Sequence, residues 1–545
     1  MQISSPSALN PGLPPLIAAL RDPVPLVSYP HAVQRMDMLE THISWVMLTG
    51  RYAYKIKKPV NLGFLDFSTL EARHHYCEEE LRLNRRLAPS LYLAVVTIAG
   101  SADCPCIHDE GVAIADSDVA MEYAVKMREF PQSDLASALL AEDRLTGAHI
   151  DALAACIAAF HADTGVAAHG CPHGTPEMVI ASARDNFAVL GNLLPDAADQ
   201  ARLAALLAWT EQEYEARHTL IEGRQAQGWV RECHGDLHLG NIVMLDGKLT
   251  PFDCIEFNPA LRWIDVMSEV AFLLMDLLDR DRADFASRFL NAYLTTSGDH
   301  AGLGVLRFYR VYRAMVRAKV HALRAAQDGI VDTERVRLTC ASRRYVNLAQ
   351  RCADDAHSAI ILMHGVSGSG KSVIAQALAE QIGAIHLRSD VERKRLSGIA
   401  PLARSDSMPA TGIYTADATR GTYTRLLDLS RLAISAGYAV VVDGAFLQRW
   451  QRDLFCRQAQ TRGLPLFIVA VTAPEATLRE RITARLDAGN DASEADLAVL
   501  TQQLEKCDVL GGDESPVVWI DTAHDEAKAN VLKVVAALGQ TCDAA

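Results

Sequence analysis

Basic residues are too few for a binder of polyanions: 53 Lys and Arg stand against 67 Asp and Glu, a formal net charge of −14. Neither a nucleic acid nor an acidic membrane surface is attracted overall by such a chain, so neither is expected as a partner. A disulfide framework is lacking too, because the 12 cysteines are scattered singly. Cys104-Pro-Cys106 with His108 has no second cysteine pair to complete a metal site, and reads as a loop between strands. The start, MQISSPSALNPGLPP, has neither the basic nor the apolar region of a secretory leader. No stretch is long and apolar enough to span a bilayer, and AFLLMDLLDRD is soon broken by charge. No internal repeat is visible. These absences predict a cytoplasmic protein whose cysteines stay as thiols.

What is present is enough chain for more than one core. The 545 residues are half apolar and 22% charged, which suits two or three folded domains. HISWVMLTG and RYAYKIKKPV read as strands joined by a tight turn at Gly50, followed by a helix from about Thr69 to Leu87. LYLAVVTIA and VAMEYAVKMREF read as further strands. From Ser133 to Glu222 the pattern is helical, GWVRECHGDLHLGNIVML interrupts it with a loop and short strands, and helices resume from Ile264 to about Ala349. A small antiparallel sheet followed by a helical lobe is the order of a two-lobed kinase. Polar RCADDAHS, residues 351–358, reads as a linker. Beyond it AIILMHG, YAVVVDG and LPLFIVAVT are near-continuous apolar strands separated by helices, the pattern of a parallel sheet covered on both faces. The expected organisation is therefore an N-terminal extension over 1–30, a kinase-like α+β domain over 31–350, a linker over 351–358 and an α/β domain over 359–545.

The last domain opens with a strand running straight into GVSGSGKS and then a helix. This is the context in which G-x-x-x-x-G-K-[ST] becomes a phosphate-binding loop. Gly365, Val366, Ser367, Gly368, Ser369 and Gly370 would wrap backbone N–H groups around phosphates at a helix N-terminus. Lys371 would contact the β- and γ-phosphates, and Ser372 would hold Mg2+. Asp443, at the end of the strand Ala439 to Val442, is placed to hold the same metal through water. ATP and Mg2+ are the cofactors this implies.

RSDVERKRL places Asp390 and Arg393 three apart at a helix start. It resembles the D-x-x-R element of the gluconate kinase, polynucleotide kinase and zeta toxin group. That resemblance implies that Asp390 takes the acceptor hydroxyl's proton and Arg393 orients the acceptor or phosphate; a plain helix cap is the structural alternative. LRERITARLDAGNDASEADLAVL resembles the lid of the same small kinases. Arg481 and Arg485, one turn apart, would then both project onto transferring phosphates.

HGDLHLGN, from His234 to Asn241, followed by Asp253 in PFDCIEF, resembles the loops of the aminoglycoside phosphotransferase and choline kinase branch of the protein-kinase-like fold. The resemblance spans roughly residues 30 to 340. It implies that Asp236 orients and deprotonates the acceptor hydroxyl, that Asn241 holds Mg2+ and that Asp253 bridges metal and phosphates. YAYKIKKPV offers Lys55 and Lys57 on one face of a strand; one should contact the α/β-phosphates, with Lys55 preferred. Its ion-pair partner should come from EEELRLNRRL, with Glu80 preferred over Glu79. MEYAVKMREF would be the hinge that accepts adenine. No G-x-G-x-x-G loop is present, which fits the small-molecule branch. Asp265 is expected to fix structure. The order of both parts, with FLDFSTLEAR and LRLNRRLAPSLYL, resembles bacterial bifunctional aminoglycoside phosphotransferase/ATP-binding proteins.

These features imply a tandem ATP- and Mg2+-dependent phosphotransferase acting on hydroxyls of small molecules. Two other classes remain open: a nucleotide-sensing ATPase whose kinase-like domain is a binding module, and a zeta-toxin-like kinase restrained by its N-terminal domain.

Overall fold

A computed structural model describes residues 13–22, 29–63, 65–109, 119–168, 170–355, 358–401, 403, 405, 411–488, 492–514, 516–523 and 527–542. By contact the chain divides into two compact units, one of residues 1–156, 160–178 and 223–273, the other of residues 157–159, 179–222 and 274–545.

The first unit is built on a six-stranded antiparallel sheet. Its strands are β1 Asp37–Glu40, β2 Ser44–Leu48, β3 Tyr52–Lys57, β4 Tyr92–Ser101, β5 Cys104–His108 and β6 Glu122–Arg128, in the order β1-β2-β3-β6-β4-β5. Gly50, at φ +90°, makes the turn between β2 and β3, where a side chain would also press on Gln34. Cys104–His108 is thus an edge strand paired with β4, and not the loop expected from sequence; alternating Cys104 and Cys106 with Pro105 and Ile107 gives a strand one buried face. The helix Leu70–Asn84, capped by the Thr69 side chain, lays Cys77 and Leu81 on Ala53, Val95 and Val125 of the sheet. The opposite face, Trp45, Tyr54, Ile56 and Ile98, is covered by Ile17 and Leu20 of the helix Pro15–Arg21. Within the expected N-terminal extension, the helix Pro15–Arg21 therefore contributes to this core.

After the helical stretch come β7 Val230–Glu232, β8 Ile242–Leu245, β9 Lys248–Pro251 and β10 Trp263–Asp265. β8 and β9 form a hairpin that packs Val243 and Leu245 into the same core as Ala53 and Val125. The loop 234–241 and the turn after β9 are thereby set beside the sheet. This is the two-lobed protein-kinase-like fold.

The second unit holds a five-stranded parallel sheet: β11 Ile360–His364, β12 Ile385–Arg388, β13 Val440–Asp443, β14 Leu466–Thr472 and β15 Val517–Asp521, in the order β12-β13-β11-β14-β15. Its central strands are buried along their length because helices cover both faces. This is the P-loop fold. The helix Asp332–Asp354 runs through residues 351–354, which sequence assigned to a linker. Helices 283–354 also join this unit: Ser287 Oγ donates to Ala379 O at 2.9 Å, and Asn291 Nδ2 to Ala384 O at 2.9 Å. The division by contact falls at residue 274 and not at 351–358, since the helix Ala283–Ser297 packs on the helix Lys371–Ile382 of the P-loop part. Among the described residues no helix is long and apolar enough to cross a membrane, and no disulfide forms.

Candidate active sites

Alternation along β3 puts Lys55 and Lys57 on the face of Ala53, with Tyr54 and Ile56 opposite. Glu80 lies between the two lysines: Oε1 accepts from Lys55 Nζ at 2.7 Å and Oε2 from Lys57 Nζ at 2.7 Å. Glu79 turns away to Arg82 and Arg262. Lys55 also donates to Asp253 Oδ1 at 2.6 Å, and Lys57 to Glu256. Burial works against both ammonium groups, yet the carboxylates outweigh it and hold both pKa values above the ordinary lysine range. Burial also opposes ionised Glu80 and Asp253, yet Lys55 and Lys57 keep Glu80, and Lys55 keeps Asp253, below the usual carboxylate range.

The loop 234–241 is held by Glu269, whose two carboxylate oxygens accept from the His234 N–H at 2.9 and 2.7 Å. Asn241 Nδ2 donates to Asp236 Oδ2 at 2.9 Å and to its carbonyl at 3.1 Å, while His238 Nε2 lies 3.4 Å from the same carboxylate. Asn241 Oδ1 is buried with no hydrogen-bond partner. An orphaned oxygen in a cleft with Asp253 suits a hard divalent cation such as Mg2+. Asp253 holds φ at +64°, uncommon for a residue with a Cβ, and its N–H donates to the Tyr92 hydroxyl at 3.1 Å. An apolar slot walled by Val46, Ala53, Met127, Leu135 and Phe252 is lined also by Lys55, Asn241 and Asp253. Its hinge edge is Arg128, Glu129 and Phe130, the end of MEYAVKMREF. A flat apolar base fits there with its phosphates toward charge.

In the P-loop part the chemistry gathers at the carboxyl ends of neighbouring parallel strands, the expected ligand position in such sheets. Gly365 has φ +145° and Gly368 φ +82°; a Cβ there would lie 2.4 Å from Val471 O and 2.7 Å from Leu478 O. Only glycine makes this cradle, and Ser369 Oγ is buried in it without a partner, so the loop fits a triphosphate. Lys371 Nζ donates to Val366 O at 2.8 Å. Burial lowers its pKa, against the pull of Asp443 and Asp390. Asp443 is the strand partner of Met363 on β11, so it stands beside the loop that carries Ser372. His386 Nε2 and Arg388 Nε lie 3.4 and 3.9 Å from Asp443 Oδ2. Burial opposes its charge, but His386 and Arg388 hold its pKa well below the carboxylate range.

Asp390 and Arg393 open the helix Ser389–Leu396 and line the same cleft of about 500 Å³ as Lys371, Ser372 and Asp443. Arg393 Nη1 donates to Ile413 O at 3.0 Å and Thr419 Oγ1 at 3.1 Å, its guanidinium lies 5.2 Å from the Tyr414 ring centre, and its Nε has no partner. Arg485 donates to Ala495 O at 2.6 Å. Arg481 differs from the expected pose: its Nη atoms hold Thr522 at 2.8 and 3.0 Å and Gly368 O at 3.4 Å. Here it braces the phosphate loop. The helix Leu497–Glu505 docks on this loop through Gln503, and Lys394 pairs with Glu494 at 2.9 Å.

Sequence reasoning missed Glu256, Glu269, His238 and Gln503, and assigned Lys57 no role of its own. Glu269 carried a signal, as an acid inside the apolar run VMSEVAFLL; Gln503 carried none.

A family description for an AAA domain matches residues 360–510. "Uncharacterized protein Rv2004c" of Mycobacterium tuberculosis is 30% identical over 460 residues, 84% of this chain and 88% of its own. Among solved structures, a gluconokinase from Sinorhizobium meliloti is 25% identical over 34% of this chain and 94% of its own, with a TM-score of 0.26. Amicoumacin kinase hAmiN is 13% identical over 62% of this chain and 91% of its own, with a TM-score of 0.37.

Proposed function

The chain belongs to the family of the Mycobacterium tuberculosis protein Rv2004c, and on that premise we propose that it is a tandem phosphotransferase, using ATP and Mg2+ to phosphorylate hydroxyl groups of small molecules at two separate sites. The observation that carries this reading is that each phosphate-holding set has a carboxylate beside it suited to receive an acceptor's proton: Asp236 is hydrogen-bonded to Asn241 of the first cleft, and Asp390 lines the second with Lys371. A module that only senses nucleotide has no use for such a base.

In the first cleft Lys55 would meet the α/β-phosphates, Asn241 and Asp253 would hold the metal, and Asp236 would accept the hydroxyl proton. In the second, Lys371 would meet the β/γ-phosphates, Ser372 and Asp443 would hold the metal, Asp390 would act as base and Arg393 would orient the acceptor. Bound Mg2+ would neutralise charge on the phosphoryl oxygens; the rest of catalysis is positioning. The negative overall charge disfavours nucleic acid or an acidic membrane surface as a partner, and cysteines that form no disulfide among the described residues suit a cytoplasmic setting.

ATP turnover by the wild type, Asp236→Ala and Lys371→Ala proteins, with and without pooled small metabolites, tests this. Metabolite-stimulated turnover that splits into an Asp236-dependent and a Lys371-dependent part is expected. The contact of Gln503 with the phosphate loop favours one other reading, an ATPase whose nucleotide moves the helix Leu497–Glu505. Turnover that ignores metabolites and vanishes only with Lys371→Ala would put that reading first.

A further inference from the structure

Lys57 takes no part in the chemistry assigned to the first cleft, yet its side chain is 1% exposed against 7% for Lys55. A buried ammonium persists only beside counter-charges. Lys57 has two, Glu80 Oε2 at 2.7 Å and Glu256 Oε1, and it lies 4.9 Å from the Phe67 ring centre. Glu256 stands three residues beyond Asp253, and its carbonyl accepts from Arg262 Nη1 at 3.1 Å.

The turn between them is fastened residue by residue. Asp253 N–H donates to the Tyr92 hydroxyl at 3.1 Å, Cys254 N–H to Asn84 Oδ1 at 2.9 Å and Ile255 N–H to His234 O at 3.1 Å. Two charged contacts reach from this turn to β3: Lys55–Asp253 and Lys57–Glu256. The first cannot survive function. Lys55 must leave Asp253 to meet phosphate, and Asp253 must leave Lys55 to hold a metal. When that exchange happens, Glu80 and Glu256 each still have Lys57, so neither buried carboxylate is stranded and the turn keeps its tie to the sheet. The two lysines also face three carboxylates, Glu80, Asp253 and Glu256, which leaves one negative charge in the buried set for a cation to offset.

We propose that Lys57 and Glu256 are positioning residues: a fixed ion pair that keeps the Asp253 turn docked on β3 while Lys55 exchanges Asp253 for nucleotide phosphate. This rests on the reading of the first cleft as a nucleotide and metal site. The pair touches neither reactant, so its effect passes through Asp253 and shows as a metal requirement.

The test uses the full chain carrying Lys371→Ala, which silences the P-loop site, and titrates a fluorescent N-methylanthraniloyl ATP with and without Mg2+. Glu256→Gln and Lys57→Met are each expected to raise the Mg2+ concentration for half-maximal binding by about tenfold, with metal-free affinity little changed. The double variant is expected to be no worse than Lys57→Met, because both single changes break one pair. Additive losses, or a loss of metal-free affinity as large as that with Mg2+, would mean a packing role and overturn the inference. Should Lys57→Met fail to fold, Glu256→Gln decides alone: an unchanged Mg2+ requirement sinks it. A Lys371→Ala parent that binds no nucleotide removes the reading of the first cleft itself, a result distinct from these.

Discussion

The side-chain carbonyl of Gln503 accepts a hydrogen bond of 2.7 Å from the backbone N–H of Ser367, inside the phosphate-binding loop. An N–H that a phosphate would use is occupied by the chain's own amide. Nucleotide and Gln503 then compete for it. A single hydrogen bond of this kind contributes about 1 kcal/mol net, so Gln503→Ala should tighten ATP binding at the P-loop site by about threefold to tenfold. Titration of N-methylanthraniloyl ATP into chain carrying Lys55→Ala, which removes the phosphate-holding lysine of the first cleft, with and without Gln503→Ala, reads this. Weaker binding would show instead that Gln503 reaches the nucleotide.

Asp236 accepts a hydrogen bond of 2.9 Å from the Asn241 side chain, which fixes its carboxylate beside the residue proposed to hold the metal. In chain carrying Lys371→Ala, Asp236→Asn should lower metabolite-stimulated kcat by about 10²- to 10⁴-fold, the usual worth of a positioned base. The KM for ATP should move little, since Lys55, Asn241 and Asp253 remain. Steady-state kinetics on both proteins checks the split. A rise in KM with kcat retained would make Asp236 a binding group and not a base.

Much of this was legible because local sequence and tertiary demand agree. GVSGSGKS needs glycine at positions where a Cβ would strike Val471 and Leu478 carbonyls, so its spacing carries its geometry. Alternation along YAYKIK puts Lys55 and Lys57 on one face, and helix periodicity turns Glu80 toward them while Glu79 points to Arg82. What escaped depends on pairings distant in sequence. Glu256 meets Lys57 across 199 positions, and Gln503 meets Ser367 across 136, with no local pattern to announce either. The first half of the stretch 351–358 escaped for a related reason: the polar residues Arg351 and Asp354 flank buried Cys352 and Ala353 on a helix that runs to Asp354, and polarity alone does not tell such a helical end from a loop.

Arg224 and Asp265 form a buried bidentate pair, Nε to Oδ2 at 2.7 Å and Nη2 to Oδ1 at 2.9 Å, with exposures of 1% and 3%. The Met267 N–H also donates to Asp265 at 2.8 Å, which ties the start of the helix Val266–Asp279 to the pair. Arg224→Met strands the carboxylate and should destabilise the chain by about 3–5 kcal/mol. Arg224→Met/Asp265→Asn, which removes both charges, should cost clearly less. Urea unfolding of the three proteins measures it, and a double variant as unstable as the single would place the cost in packing.

His321, on the helix Leu303–Ala325, stacks on Tyr345 with ring centres 5.5 Å apart and is 7% exposed. Burial, then Arg317, Arg344, Arg337 and Arg324, push its pKa down to about 3 from an ordinary value of 6.5. The folded chain therefore binds fewer protons at this position than the unfolded chain between those values. Stability contributed by neutral His321 is full above about pH 6.5 and falls as pH drops toward 3, with a limiting slope of about 1.4 kcal/mol per pH unit. His321→Gln removes the proton site, so its stability should fall less steeply than the wild type's between pH 6.5 and 5, although it starts lower through lost stacking. Urea midpoints across that range give the two slopes. Parallel slopes would mean that the imidazole is protonated in the fold, or that the acid loss comes from other groups.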